Sequence, residues 1–111
     1  MLLFGRENLI KYNKAIRDKI PEIIAESGKK CNIKHLEDES FLAELEKKLV
    51  EEVNEYAESK DVEELADLLE VIYRISELRG INSNELDEIR QDKAEKRGKF
   101  ASNLFLIDAE K

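Results

Sequence analysis

From residue 38 to residue 97 the apolar positions recur every three or four residues, the period of helices, and strand-like alternation appears only weakly, over residues 31–36. A first helix is expected to start at Pro21, which disfavours helix at the preceding residue and is well tolerated at a helix start, and to run through Ile23, Ile24 and Ala25 before Gly28 ends it. A second should begin between Asp38 and Ser40, whose side chains can accept from free N–H groups, and end at the turn Ser59-Lys60-Asp61. Its apolar stripe is Phe41, Leu42, Leu45, Leu49, Val53 and Tyr56. A third, capped by Ser59 or Asp61, runs to Leu78 and stops at Gly80. It carries two stripes, Val62, Leu65, Leu69, Ile72 and Tyr73 on one side and Leu68, Val71, Ile75 and Leu78 on the other. A helix apolar over so wide an arc is central in a bundle or also packs against another subunit. Asn82-Ser83-Asn84-Glu85 has the pattern of a capping box opening a fourth helix, with Leu86, Ile89 and Ala94 inward. After Gly98 the tail, residues 100–107, is apolar enough to dock on the core or on a partner. Residues 1–11, with Leu2, Leu3, Phe4, Leu9 and Ile10, show no period and read as a docked arm or a short extended piece. The pattern predicts an all-α fold, a bundle of four to five helices with short irregular segments at both ends.

Charged residues intrude into these stripes at particular places. On a wheel of about 100° per residue, Glu52 falls nearly in line with Leu45, Glu55 sits at the stripe's edge, and Glu51 points roughly 100° away from Glu52 toward solvent. On the third helix Glu64 and Asp67 continue the second stripe toward the N-terminal end, while Glu63, Glu70, Arg74 and Glu77 look solvated. A carboxylate on an apolar face carries a desolvation cost and is rarely left without a partner. The short connection forces the two helices antiparallel, so the last turns of one lie beside the first turns of the other and the two acidic pairs can meet.

Composition narrows the field. The 111 residues suit one domain with a single core, spanning the whole chain. Acids outnumber bases, 26 to 19, giving a net charge of −7, so a nucleic-acid partner has no electrostatic support. A single Cys31 and a single His35 rule out an internal disulfide framework and a Cys/His zinc cluster within one chain. Met1 to Arg6 is too short for a secretory apolar region, and no run approaches the roughly 20 apolar residues of a membrane span, so the expectation is a soluble, cytoplasmic protein with no membrane partner.

With 26 acids in the chain, carboxylates three apart arise by chance, and spacing alone leaves a metal site and a structural ion-pair or capping network both open. If a cation is held, oxygen-only ligands suit Mg²⁺ or Mn²⁺ and disfavour zinc. Mg²⁺ usually completes its shell with waters and substrate phosphate oxygens, which points to a phosphate ester or anhydride as ligand.

Glu51-Glu52-Val53-Asn54-Glu55 followed by Glu64-Leu65-Ala66-Asp67, on an all-α chain, resembles the MazG-like nucleoside triphosphate pyrophosphohydrolases, a superfamily that includes dimeric dUTPases and phosphoribosyl-ATP pyrophosphohydrolase. The run from Tyr12 through Asn13, Lys14, Ala15, Ile16, Arg17, Asp18, Lys19 and Ile20 to Pro21 resembles the opening of a phosphoribosyl-ATP pyrophosphohydrolase-like subgroup, and Arg97-Gly98-Lys99-Phe100 with Phe105-Leu106 its ending. The resemblance covers about residues 12–106. It implies a MazG-like bundle and cleavage of a nucleoside triphosphate between the α- and β-phosphates, with Mg²⁺ held by Glu52, Glu55, Glu64 and Asp67. Glu51, Glu52 and Glu55 are the candidates for handling the attacking water, Glu51 as a base or an outer partner rather than a ligand.

Charge on the departing pyrophosphate would fall to basic residues, for which the candidates are Lys14, Arg17 and Lys19 in the opening segment and Lys93, Lys96 and Arg97 at the end of the fourth helix. Cations in a last helical turn also complement the macrodipole and need no substrate to explain them. Asp18 either caps the first helix or orients Arg17. His35 and Cys31 read as surface residues, Ser27-Gly28-Lys29-Lys30 lacks the remaining residues of a phosphate-binding loop, and Tyr56 and Tyr73 belong to helical stripes. The expected substrate is a nucleotide, with phosphoribosyl-ATP as the narrower alternative and a non-catalytic helical oligomerisation or binding module as the rival. A homodimer or homotetramer is expected in any of these cases.

Overall fold

The computed structural model describes residues 9–111, and its helices fall on the periodic segments: α1 is Ile20–Glu26, α2 Asp38–Ser59, α3 Val62–Leu78 and α4 Ser83–Arg97. Among the described residues there is no strand, so the fold is all-α. The calls on residues 1–8 lie outside the described residues; Leu9 and Ile10 are exposed.

Local chemistry accounts for most of the boundaries. Pro21 sits in the first turn of α1, whose N-cap position is held by Lys19 without a side-chain bond; Asp18 therefore does not cap it. The side-chain cap expected at residues 38–40 does not form either. The N-cap of α2 is Glu37, whose carbonyl accepts from the Phe41 amide at 2.9 Å, so Asp38 and Glu39 lie inside the first turn, where their charge meets the positive end of the helix dipole. Lys60, left-handed at φ 60°, and Asp61 form the two-residue link to α3. Asp61 accepts from the Glu63 amide at 3.1 Å, and Ser59 Oγ from the Asp61 amide at the same distance. At α4 the capping box is complete: Asn82 Oδ1 accepts from the Glu85 amide at 2.9 Å and Glu85 Oε1 from the Asn82 amide at 3.3 Å.

So short a link turns α3 back along α2, and these two helices hold the core. Leu45 and Val71 are buried together with Ala15 of the opening segment, and Phe41, Leu49, Ile75 and Leu78 pack around them. The second stripe of α3 is thus the one that faces α2. Val62, Leu65, Leu69 and Tyr73 of the other stripe are exposed, Val62 to 74%. Val53, expected inward on α2, is exposed as well. Ala15 matters beyond its size: its methyl is small enough to lie flat on the helix pair, and its burial pins the segment before α1 across α2 and α3.

At the far end of α3, buried Ser76 donates from Oγ to the Ile81 carbonyl at 2.7 Å while the Ile81 amide donates to the Ser76 carbonyl at 2.9 Å, fixing the turn at Gly80. From there α4 diverges from α3, leaving an open cleft of about 570 Å³ lined by Glu70, Tyr73, Glu77, Ser83, Asn84 and Asp87. Leu86 and Ala94 are half-buried, but Ile89, expected inward, is exposed because no helix lies on that side. The tail does not return to the core of its own chain: Phe100 is 99% and Phe105 89% exposed. With arm and helix splayed, the molecule is 72 Å long with a radius of gyration of 19.5 Å, against about 13 Å for a compact chain of this length. No helix among the described residues is long and apolar enough to cross a membrane.

Candidate metal centre

The antiparallel pairing of α2 and α3 brings the intruding acids together. Single oxygens of Glu52, Glu64 and Asp67 lie within 4.8 Å of one another across the two helices, and the same holds for Glu51, Glu52 and Glu55 along α2. Glu52 belongs to both groups and is the centre of the cluster. It is also the most deeply placed, only 6% exposed. Its Oε1 is 3.6 Å from Lys48 Nζ one turn earlier, and its Oε2 is buried with no hydrogen-bond partner among the described residues.

A buried carboxylate oxygen among other carboxylates is costly unless something positive reaches it. The titration of the cluster registers this. Burial raises the Glu52 pKa above the ordinary glutamate value, the negative charges of Glu55 and Asp67 and a hydrogen bond with Glu55 push the same way, and Lys48 only partly opposes them. Glu64 is raised too, first by desolvation between the helices, then by the charge of Glu55 and a hydrogen bond with it, and by Asp67 and Glu52. Glu55 adds to the shift of both Glu52 and Glu64, while the oxygens that lie together form two triads joined at Glu52, one across the helices with Glu64 and Asp67 and one along α2 with Glu51 and Glu55.

Two cations come from the opening segment, carried there by the anchoring of Ala15. Arg17 donates to Asp67 Oδ1 at 2.7 Å and approaches Glu70 at 3.8 Å. Lys14 lies 3.3 Å from Glu51 Oε1. Glu51, which the wheel directs toward solvent, is half-buried and pairs with Lys14 while keeping a carboxylate oxygen within 4.8 Å of those of Glu52 and Glu55. Glu51, Glu52, Glu55, Glu64 and Asp67, with Glu70 beside Arg17, thus outnumber the three cations Lys14, Arg17 and Lys48 and leave the cluster with excess negative charge. The oxygen-only donor set and the orphaned, buried Glu52 Oε2 fit a hard dication such as Mg²⁺ or Mn²⁺.

The other basic candidates are not part of this cluster. Lys19 is exposed at the start of α1, and Lys93, Lys96 and Arg97 are exposed on α4; none of the four makes an ion pair or a side-chain hydrogen bond among the described residues. Sequence reasoning did not single out Lys48, although its position four residues before an inward-facing glutamate is a usable signal. Cys31 and His35 are exposed and distant in sequence from the cluster. No protein-family model matches the chain, and neither does any curated protein or solved structure.

Proposed function

We propose that the chain is a Mg²⁺-dependent nucleotide pyrophosphohydrolase that cleaves the α–β phosphoanhydride of a nucleoside triphosphate, releasing the monophosphate and pyrophosphate. The observation that carries the reading is buried Glu52, whose Oε2 has no hydrogen-bond partner among the described residues and which belongs to both acidic triads, one with Glu64 and Asp67 and one with Glu51 and Glu55. The resemblance of the two acidic motifs, the opening segment and the chain's ending to the MazG-like enzymes supports the choice of substrate class. A cytoplasmic setting belongs to the same proposal.

Glu52, Glu55, Glu64 and Asp67 would hold the ion, which when bound supplies charge neutralisation at the phosphoryl oxygens and a more acidic water. The chain's own residues do the rest. Glu51 and Glu55, at the exposed side of the cluster, are placed to take the proton of the attacking water as its oxygen bonds to the α-phosphorus. The bond from that phosphorus to the bridging oxygen breaks, and pyrophosphate departs with the electron pair. Arg17 and Lys14 are the cations near enough to receive its charge. Lys19, Lys93, Lys96 and Arg97 would have to be brought to the phosphates by some further movement or by another subunit.

The three ion pairs of the cluster favour a rival, a structural charge network in a non-catalytic module. Incubation with a panel of nucleoside triphosphates and phosphoribosyl-ATP, with Mg²⁺ or with EDTA, separates the readings by the pyrophosphate released. The proposal expects Mg²⁺-dependent release from at least one of them and loss of that release in Glu52→Gln. Release from none, with Mg²⁺ leaving the melting temperature unchanged, would support the structural network.

A further inference from the structure

Two apolar surfaces have no cover among the described residues. One is the outer stripe of α3, Val62, Leu65, Leu69 and Tyr73, on the side of the helix turned away from α2. The other is the tail, where Phe100, Leu104, Phe105, Leu106 and Ile107 are all between 78% and 99% exposed. The exposed area of the chain is 10498 Å², while a compact protein of 12.9 kDa exposes roughly 6,300 Å², an excess of about 4,200 Å². A stable association needs about 800 Å² from each partner. The excess, polar and apolar surface together, is larger than that, and only Ala15, Leu45 and Val71 are buried apolar residues among the described residues.

We infer that the two surfaces cover each other between copies: the tail is an exchanged arm that lies along the outer stripe of α3 of a second copy, and that copy's arm returns the contact. Length and shape agree with this pairing. Past the turn at residues 101–102 and the left-handed Asn103, the eight residues from Leu104 to Lys111 span about 26 Å when extended, and a 17-residue α3 is about 25 Å long. Residues 104–107 carry apolar side chains at successive positions, so both faces of the extended segment are apolar and suit insertion at a helix–helix boundary. Reciprocal exchange closes around a twofold axis, which uses up both surfaces on both chains and leaves no open end for further addition.

The test uses the full chain in two variants, Leu104→Asp with Leu106→Asp on the arm and Leu65→Asp with Leu69→Asp on the stripe, by sedimentation at several concentrations. The wild-type chain is expected to be a dimer, and each variant to dissociate at least 100-fold more readily. A mixture of the two variants should recover a dimer, because the intact arm of one meets the intact stripe of the other. A monomeric wild-type chain overturns the inference, as does an arm variant that dimerises normally or a mixture that shows no recovery. Hydrogen exchange on the unaltered protein keeps the inference testable if a variant fails to fold. Amides of residues 62–73 and 104–107 should lose protection together on dilution below the dissociation constant, and arm amides exchanging freely while the chain is dimeric would overturn it.

Discussion

Replacing Glu52 with Gln should stabilise the metal-free protein, which is the reverse of what an ordinary change at a buried position does. The carboxylate is 6% exposed, one of its oxygens has no partner, and its neighbours Glu55 and Asp67 carry the same charge. An amide removes the buried charge and gains an N–H₂ that can donate to either neighbour. What is lost is the 3.6 Å pairing with Lys48, whose side chains are only 16% and 7% exposed, so it counts for more than a surface pair, about 1 kcal/mol once the lysine stem turns its ammonium to solvent. What is recovered is the penalty of a buried group left unsatisfied, about 1–3 kcal/mol. The balance is a gain of no more than about 2 kcal/mol, a rise of a few degrees in melting temperature for a chain of about this size. Thermal unfolding in EDTA at pH 8 and a fixed protein concentration measures it. The same variant should lose the Mg²⁺ response. In the wild-type protein, Mg²⁺ at a hundred times its dissociation constant stabilises by about 2.7 kcal/mol through mass action. A Glu52→Gln protein that melts lower than wild type in EDTA, or keeps the full Mg²⁺ shift, would refute the reasoning.

Arg17→Ala removes the 2.7 Å bond to Asp67 between two half-exposed side chains, so unfolding in denaturant should show a loss of no more than about 1 kcal/mol, while kcat/KM for the nucleotide that is cleaved should fall about 100-fold. Lys96→Ala, on a residue that the structure leaves outside the cluster, should change kcat/KM by no more than about twofold in the same assay. Asn82→Ala dissolves the capping box of α4 and should cost about 1 kcal/mol in thermal or denaturant unfolding. In the metal-free protein the raised pKa values of Glu52 and Glu64 mean that the folded state holds protons more tightly than the unfolded one. Their contribution to stability is therefore full below the ordinary glutamate value and is lost as pH rises through the raised values, so unfolding curves in EDTA should show this pair favouring the acid side, with Mg²⁺ restoring stability on the alkaline side.

Much of this arrangement was legible in the chain. The capping box at Asn82 and Glu85 and the cap at Asp61 formed as the residue types required, because a cap is a contact between near neighbours and needs no tertiary information. The convergence of Glu52, Glu64 and Asp67 followed from two helical periods and a short link. The misses share a cause. Two stripes on α3 look alike on a wheel, and only packing reveals that Val71, Ile75 and Leu78 meet α2 while Val62, Leu65 and Leu69 do not. Ile89 and Val53 are apolar at inward-looking positions but lack a facing element. Ala15 escaped notice because a lone small residue in a non-periodic segment carries no pattern, although its burial is what delivers Lys14 and Arg17 to the acids. The tail's chemistry was plain in the sequence, but the choice between its own core and a partner is a matter of where the chain runs after Gly98.

The central claim is that these carboxylates trap a hard dication, and Mn²⁺ titration followed by electron paramagnetic resonance tests it most directly. The account predicts that the free Mn²⁺ signal is suppressed stoichiometrically by the wild-type chain and remains when Glu52→Gln and Asp67→Asn are combined. Equal, weak suppression by both proteins would contradict it and leave the acids as a charge network held by Lys14, Arg17 and Lys48.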